Sequence, residues 1–358
     1  MLVVVILAGL VAIGAFAASA AARSPDAKKD RSLHRRYYVG EVTCRFIDRT
    51  RPSVNQATGQ KLPYRLVSAE IRYPTYSVDG GAGAPASTKP FPVIVFAQGF
   101  SAMPDWYAPL LDEWVRAGFV VVAPIFPETN AIAVRASKNP EASENDDVSQ
   151  PGDIVFVVHS VIEDSRVQSP VCPKMRGLID ATRIGLAGQS DGGDTVAMAA
   201  YDSRYDAHPG ISYHAVAVLS GSEWNYPSNA PDPYANHPSA PPMLVVQSAT
   251  DACNPPQAAT KLYNDDANPD KWFLEIFNAQ HLAPYDGRDA SAFSIVAQTT
   301  TRFFQIEVAG GAIGAKLTKI GNSEPQTARV TTGPSAPAIT PVTPSTPACY
   351  VGLEGLEP

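Results

Sequence analysis

The sequence predicts an α/β protein built on a doubly wound, mostly parallel sheet that opens with an antiparallel meander. Two patterns carry that expectation. Short continuous apolar runs, of the kind buried on both faces of a parallel sheet, recur along the chain, and stretches with apolar residues at helical spacing separate them. Alternation of this sort implies βαβ units wound on both sides of one sheet.

The meander comes first. "YYVGEVTCRFID" (37–48) and "YRLVSAEIRYP" (64–74) alternate polar and apolar residues across a turn region containing Pro, Asn and Gly, which argues for antiparallel strands. "FPVIVFAQGF" (91–100) is the first buried strand. Tyr107, Leu110, Leu111, Trp114 and Val115 then form a helical stripe, Gly118 ends it, and "FVVVAPIF" (119–126) is the next strand. Residues 128–150 are polar and rich in loop formers, so they read as a long surface excursion that borders the substrate and lacks an amphipathic stripe. Pro151 and Asp153 open a helix whose Ile154, Val157, Val158, Val161 and Ile162 share a face. There follow a strand "RIGLAG" (183–188), a helix over 192–201, strands "AVAVLSG" (215–221) and "MLVVQSAT" (243–250), a helix over 255–264, a strand "KWFLEIF" (271–277), and a last helix carrying Ile295 to Phe304.

The ends differ in composition. Residues 1–22 form an apolar run closing in small residues, the pattern of a signal peptide, or of an N-terminal anchor given that no Lys or Arg precedes the run. Residues 23–36 read as a solvated basic linker, 37–320 as the folded domain, and 321–358, rich in Pro, Thr, Ser and Ala, as a disordered tail. A secreted or cell-surface location follows, and four cysteines, Cys44, Cys172, Cys253 and Cys349, fit an oxidising compartment. Their pairing stays open, except that Cys172 and Cys253 fall at opposite ends of strands about 17 Å long and should not meet. A net charge of −7 with only 28 Lys and Arg, scattered, excludes a general affinity for nucleic acid and favours a small uncharged substrate. Contact with a membrane is expected only if the N-terminal segment persists.

"GLAGQSDGG" (185–193) places Gly188, Gln189, Ser190, Asp191 and Gly192 in a Gly-x-Ser-x-Gly pattern. Roughly 0.1 such matches are expected by chance in a chain of this length, so position matters more than pattern. Here a strand runs into Ser190 and a helix leaves it, as a nucleophile elbow requires; a serine that merely caps the next helix is the plainer reading. A serine nucleophile needs a histidine, and the histidine an orienting acid, in the order Ser, Asp, His. Asp251 directly follows the strand "MLVVQSAT" and His281 follows "KWFLEIF", on the sheet edge where Ser190 stands. Glu223, after "AVAVLSG", is the alternative acid. His34, His159, His208, His214 and His237 lie in segments that nothing ties to Ser190. The oxyanion of acyl transfer needs N–H donors, expected from the backbone of Asp191 and of Phe100, with Gly99 allowing close approach. Phe100, Trp224 and Tyr285 follow strand ends on this edge and either line an acyl or alcohol site or pack beneath loops.

Taken together, "PVIVFAQGF", "YAPLLDEWVRAGFVVVAPIFP", "QPGDIVFV", "IDATRIGLAGQSDGG" and "AQHLAPY" resemble the secreted α/β-hydrolases of the platelet-activating-factor acetylhydrolase-like and chlorophyllase-like branch, which are related to cutinase-type polyester hydrolases. The resemblance covers about residues 38 to 310. It implies the α/β-hydrolase fold and a serine carboxylic-ester hydrolase that uses no metal or organic cofactor, with Ser190, Asp251 and His281 as triad and a small ester as substrate. Two positions depart from the pattern: Gln98 and Gln189 stand where the branch usually has histidine. A serine peptidase on the same fold, or a binding protein that keeps the scaffold without the chemistry, are the alternatives.

Overall fold

A computed structural model of the protein describes residues 37–77, 89–167, 170–202, 205, 210–223, 234, 240–311 and 316–339. The apolar runs fold into the strands of a nine-stranded sheet. In chain order its members are β1 (Tyr38–Asp48), β4 (Arg65–Thr75), β5 (Phe91–Ala97), β6 (Val120–Ile125), β7 (Ile179–Gln189), β8 (Tyr213–Leu219), β9 (Met243–Ser248), β10 (Lys271–Ile276) and β11 (Ala328–Thr332). The short hairpin β2 (Ser53–Asn55) and β3 (Gln60–Leu62) fills the turn region of the meander. In space the sheet reads β1-β4-β6-β5-β7-β8-β9-β10-β11. From β6 to β10 every neighbouring pair is parallel, whereas β1 on β4, β4 on β6 and β11 on β10 are antiparallel.

Alternation within the strands divides the core. Val93, Val95 and Ala97 of β5 face one apolar layer while Ile94 and Phe96 face the other. Helices α4 (Gln150–Arg166), α5 (Asp191–Tyr201) and α6 (Pro256–Asp265) cover the first layer; α1 (Ala108–Arg116) and α8 (Ala290–Glu307) cover the second. Trp114 of α1 ties that second pair together, its Nε1 donating to Thr300 Oγ1 at 3.0 Å. Strand order reverses at β5, which has β6 on one side and β7 on the other. Ligands of open α/β sheets bind beyond the carboxyl ends of the strands at such a reversal, and the loop after β5 and the turn after β7 meet there.

Two expectations need correction. The stretch 128–150 is no loose excursion: it holds α2 (Ala131–Ala136), α3 (Pro140–Ser143) and a 3-10 segment, Glu144–Ser149. Its polar residues are drawn inward because Arg65 of β4, itself buried, donates to Asp146, to Asp153 and to Glu128. The tail does not begin at 321. α9 (Lys316–Gly321) leads into β11, whose alternating Ala328 and Val330 are buried at the sheet edge, a period-2 signal too short to stand out among Pro and Thr. Asp194 of α5 accepts the Ser222 N–H and hydroxyl, tying α5 to the end of β8. Cys172 pairs with Cys44, their Cα atoms 5.3 Å apart, in keeping with its separation from Cys253; Cys349 lies outside the described residues, as does the whole of 1–36. Among the described residues no helix is long and apolar enough to cross a membrane. α7 (Ala283–Asp286) follows β10 and precedes α8.

Candidate active site

β7 ends at Gln189, and the chain turns so sharply at Ser190 that this residue sits at φ 57° and ψ −127° before α5 begins. A left-handed non-glycine residue costs about 1–3 kcal/mol and persists only where its surroundings hold it. The hold is visible: Ser190 N–H donates to Leu219 O at 2.9 Å, and Ser190 O accepts Asp194 N–H at 3.0 Å. A β-carbon on Gly188 would overlap the Gly192 carbonyl, and one on Gly192 would overlap the Ala97 carbonyl. The two glycines of the motif are therefore the condition for strand, turn and helix to pack this closely.

Two strands along, the loops after β9 and β10 bring Asp251 and His281 together. His281 Nδ1 lies 2.8 Å from Asp251 Oδ2 and 3.0 Å from Oδ1. Asp251 Oδ1 also accepts the backbone N–H groups of Cys253 at 2.9 Å and Asn254 at 3.1 Å. Burial works against ionising this carboxyl, but the hydrogen bond and charge of His281 and the two backbone donors outweigh it and hold Asp251 below the usual aspartate value. Side-chain atoms of Asp251, Cys253 and His281 fall within 4.8 Å of one another; with the carboxylate already taking Nδ1 and two backbone donors, the arrangement is that of an acid orienting an imidazole. Glu223 is not that acid. It is buried and pairs with Lys261.

At the other end of the imidazole stands a residue that sequence reading left without a role. Gln189 Nε2 lies 3.1 Å from His281 Nε2, and Gln189 Oε1 accepts the Tyr107 hydroxyl at 2.7 Å. Ser190 Oγ makes no hydrogen bond to any described residue. The sequence signals for Gln189 were a polar side chain closing an apolar run and its place where the resembled branch usually has histidine.

The expected oxyanion donors lie against Ser190. A β-carbon on Gly99 would stand 3.1 Å from Ser190 Cβ, so the Gly99–Phe100 peptide packs on the elbow. No backbone carbonyl among the described residues takes the N–H of Phe100 or of Asp191. Phe100 is half-buried. Trp224 lies outside the described residues. Tyr285 is wholly buried, its hydroxyl 2.9 Å from Ser220 Oγ, so it props the ends of β8 and β9 from within and lines no substrate wall.

Near the elbow lie three carboxyl groups with no cation at salt-bridge distance among the described residues. Burial first, and then mutual repulsion with one another and with Glu144, pushes Asp147 up to about 10 and Asp194 to about 8. Asp191 rises to about 7, raised by burial and Glu144 and drawn back by His281 and its own backbone N–H. Asp147 Oδ1 accepts Gln150 Nε2 at 2.8 Å, and Gln150 Oε1 accepts Thr195 Oγ1 at 2.6 Å, which fastens the 144–149 segment to α5.

No family model and no curated protein matches this sequence. Among solved structures it is similar to a ferulic acid esterase from Streptomyces cinnamoneus, with a TM-score of 0.58 and 17% identity over 83% of this chain and 96% of that one. With the sheet order and the elbow, that similarity makes this an α/β-hydrolase fold.

Proposed function

We propose that this chain is a serine carboxylic-ester hydrolase that acts through an acyl-enzyme on short-chain or small esters. The observation that carries the reading is the Asp251–His281 pair, held on the same sheet edge as a strained serine at the strand-order reversal. The name of the similar structure, a ferulic acid esterase, agrees with ester chemistry, and the sequence runs point to the acetylhydrolase-like branch. In this mechanism Ser190 Oγ displaces the Gln189 amide at His281 Nε2, passes its proton there and attacks the ester carbonyl carbon. Asp251 holds the ring and stabilises the imidazolium, while the N–H groups of Phe100 and Asp191 receive the oxyanion. The imidazolium protonates the departing alcohol, and water, activated by the same nitrogen, releases the acid. The Cys44–Cys172 disulfide supports an oxidising compartment and, with the apolar N-terminal run, secretion.

Substrate size is the test. The 128–150 stretch folds into short helices clamped by buried polar contacts and offers no long apolar face to cover a lipid tail. A short acyl chain gains about 0.8 kcal/mol per buried methylene until it outruns its walls. p-Nitrophenyl acetate and butyrate are therefore expected to exceed the palmitate in kcat/KM, with emulsified triglyceride giving no interfacial activation. Equal or faster turnover of the palmitate contradicts the short-chain reading; absence of all turnover contradicts the hydrolase.

A further inference from the structure

The base nitrogen of His281 is already engaged. Gln189 Nε2 lies 3.1 Å from His281 Nε2 and donates to the His281 carbonyl at 3.4 Å. An amide NH2 group only donates, so the imidazole nitrogen facing it must present a lone pair. The ring proton then sits on Nδ1, where the Asp251 carboxylate accepts it. The orientation of the amide is itself fixed. Tyr107 Oη accepts the Gly99 N–H at 3.2 Å, which leaves its own proton for Gln189 Oε1 at 2.7 Å. With the oxygen end taken, the nitrogen end must face His281. Gln189 and Tyr107 are both buried, so no bulk water competes for these bonds. Of the other titratable groups near the ring, the Asp251 carboxylate favours the same tautomer from the opposite end; Asp191 of α5 acts through charge, Cys253 Sγ lies beside the Asp251 pair, and Tyr285 of α7 spends its hydroxyl on Ser220.

We propose that Gln189 is a positioning residue: it locks His281 in the Nδ1-protonated tautomer and keeps the Nε2 lone pair beside the elbow until Ser190 Oγ takes it over. The proposal rests on reading His281 as the base of ester hydrolysis, and it assigns a task to the side chain immediately before the nucleophile. Hydrogen bonding runs without a break from the oxyanion loop at Gly99 through Tyr107 and Gln189 to His281 and Asp251. The loop that receives the oxyanion and the imidazole that moves the proton are thereby held in register.

The test uses histidine-selective 15N labelling of the full chain at mildly alkaline pH, with the His281 signals assigned by their loss in His281→Ala. The parent is expected to carry its ring proton on Nδ1. Gln189→Met, equal in length but without a donor, should show some Nε2-protonated ring beside the form Asp251 favours, and Gln189→Glu, which sets a second carboxylate against the ring, should leave both nitrogens protonated. With p-nitrophenyl butyrate, loss of one hydrogen bond should lower kcat of Gln189→Met about five- to tenfold at unchanged KM, and an imidazolium without a free lone pair should cost Gln189→Glu on the order of a hundredfold or more. Tyr107→Phe, which frees the amide to turn over, should move both readouts in the direction of Gln189→Met by a smaller amount. A parental tautomer in both Gln189 variants overturns the proposal, as does a parental kcat in Gln189→Met. Because the tautomer is read without turnover, a parent that hydrolyses no ester would remove the hydrolase reading while a shifted tautomer still upheld the lock.

Discussion

The turn at Ser190 and the pairing of Asp251 with His281 rest on constraints that act one residue at a time. Ser190 is held at φ 57° by its backbone bonds to Leu219 and Asp194, in a turn that Gly188 and Gly192 let pack closely, and Asp251 stays ionised because two backbone N–H groups and His281 outweigh its burial. Asp251→Asn should lower kcat/KM for p-nitrophenyl butyrate by about 10^4, since the amide favours the wrong imidazole tautomer. Glu223→Gln should leave the rate within about twofold of the parent, a change of less than about 0.5 kcal/mol, because Glu223 serves Lys261 and not the imidazole. The reverse ranking would assign the orienting acid to Glu223. At this scale the turn at Ser190 and the pairing of Asp251 with His281 were legible, because each residue follows a buried strand and parallel strands end on one edge. Gln189 and Tyr285 were not. Whether a glutamine reaches across to a histidine, or a tyrosine turns inward to a serine, depends on side-chain direction at a loop, which strand periodicity does not encode.

Among the elements, the 128–150 stretch departs most from its composition. Polar residues there are buried because one cation, Arg65 on β4, gathers Asp146, Asp153 and Glu128 around it, and Arg51 adds a second contact to Asp153. Removing one partner of a buried ion network leaves uncompensated charge and costs about 3–5 kcal/mol. Arg65→Met should therefore lower the midpoint of thermal unfolding by about 10 °C, read by circular dichroism. A loss of no more than a degree or two would mean that these carboxylates are hydrated in the native protein and that the stretch is loosely attached. The parallel strands could be read in sequence because burial on both faces leaves unbroken apolar runs. The hairpin β2–β3 and the edge strand β11 could not, since three to five residues give too few repeats of a period-2 pattern.

For the molecule as a whole, the raised carboxyls near the elbow tie stability to pH. In the unfolded chain an aspartate ionises near pH 3.9, whereas Asp194 in the fold keeps its proton to about pH 8 and Asp147 to about 10. The folded state thus binds more protons than the unfolded one between these limits, and stability must fall as pH rises through that window. Urea unfolding should show its midpoint declining from pH 5 to pH 8, and Asp147→Asn should flatten the decline; a parent curve that rises across the window would show that these groups are ionised in the fold. The fold class was legible because strand and helix alternate through most of the chain, while the extent of the domain was not, because α9 and β11 continue it past residue 320. What the whole assembly is taken to accomplish is to make one serine nucleophilic. The most direct measurement is labelling of the intact protein with a fluorophosphonate, followed by peptide mapping. The account predicts a single adduct on Ser190, abolished in Ser190→Ala and in His281→Ala while both variants stay folded. An unlabelled parent, or an adduct on another serine, would contradict it.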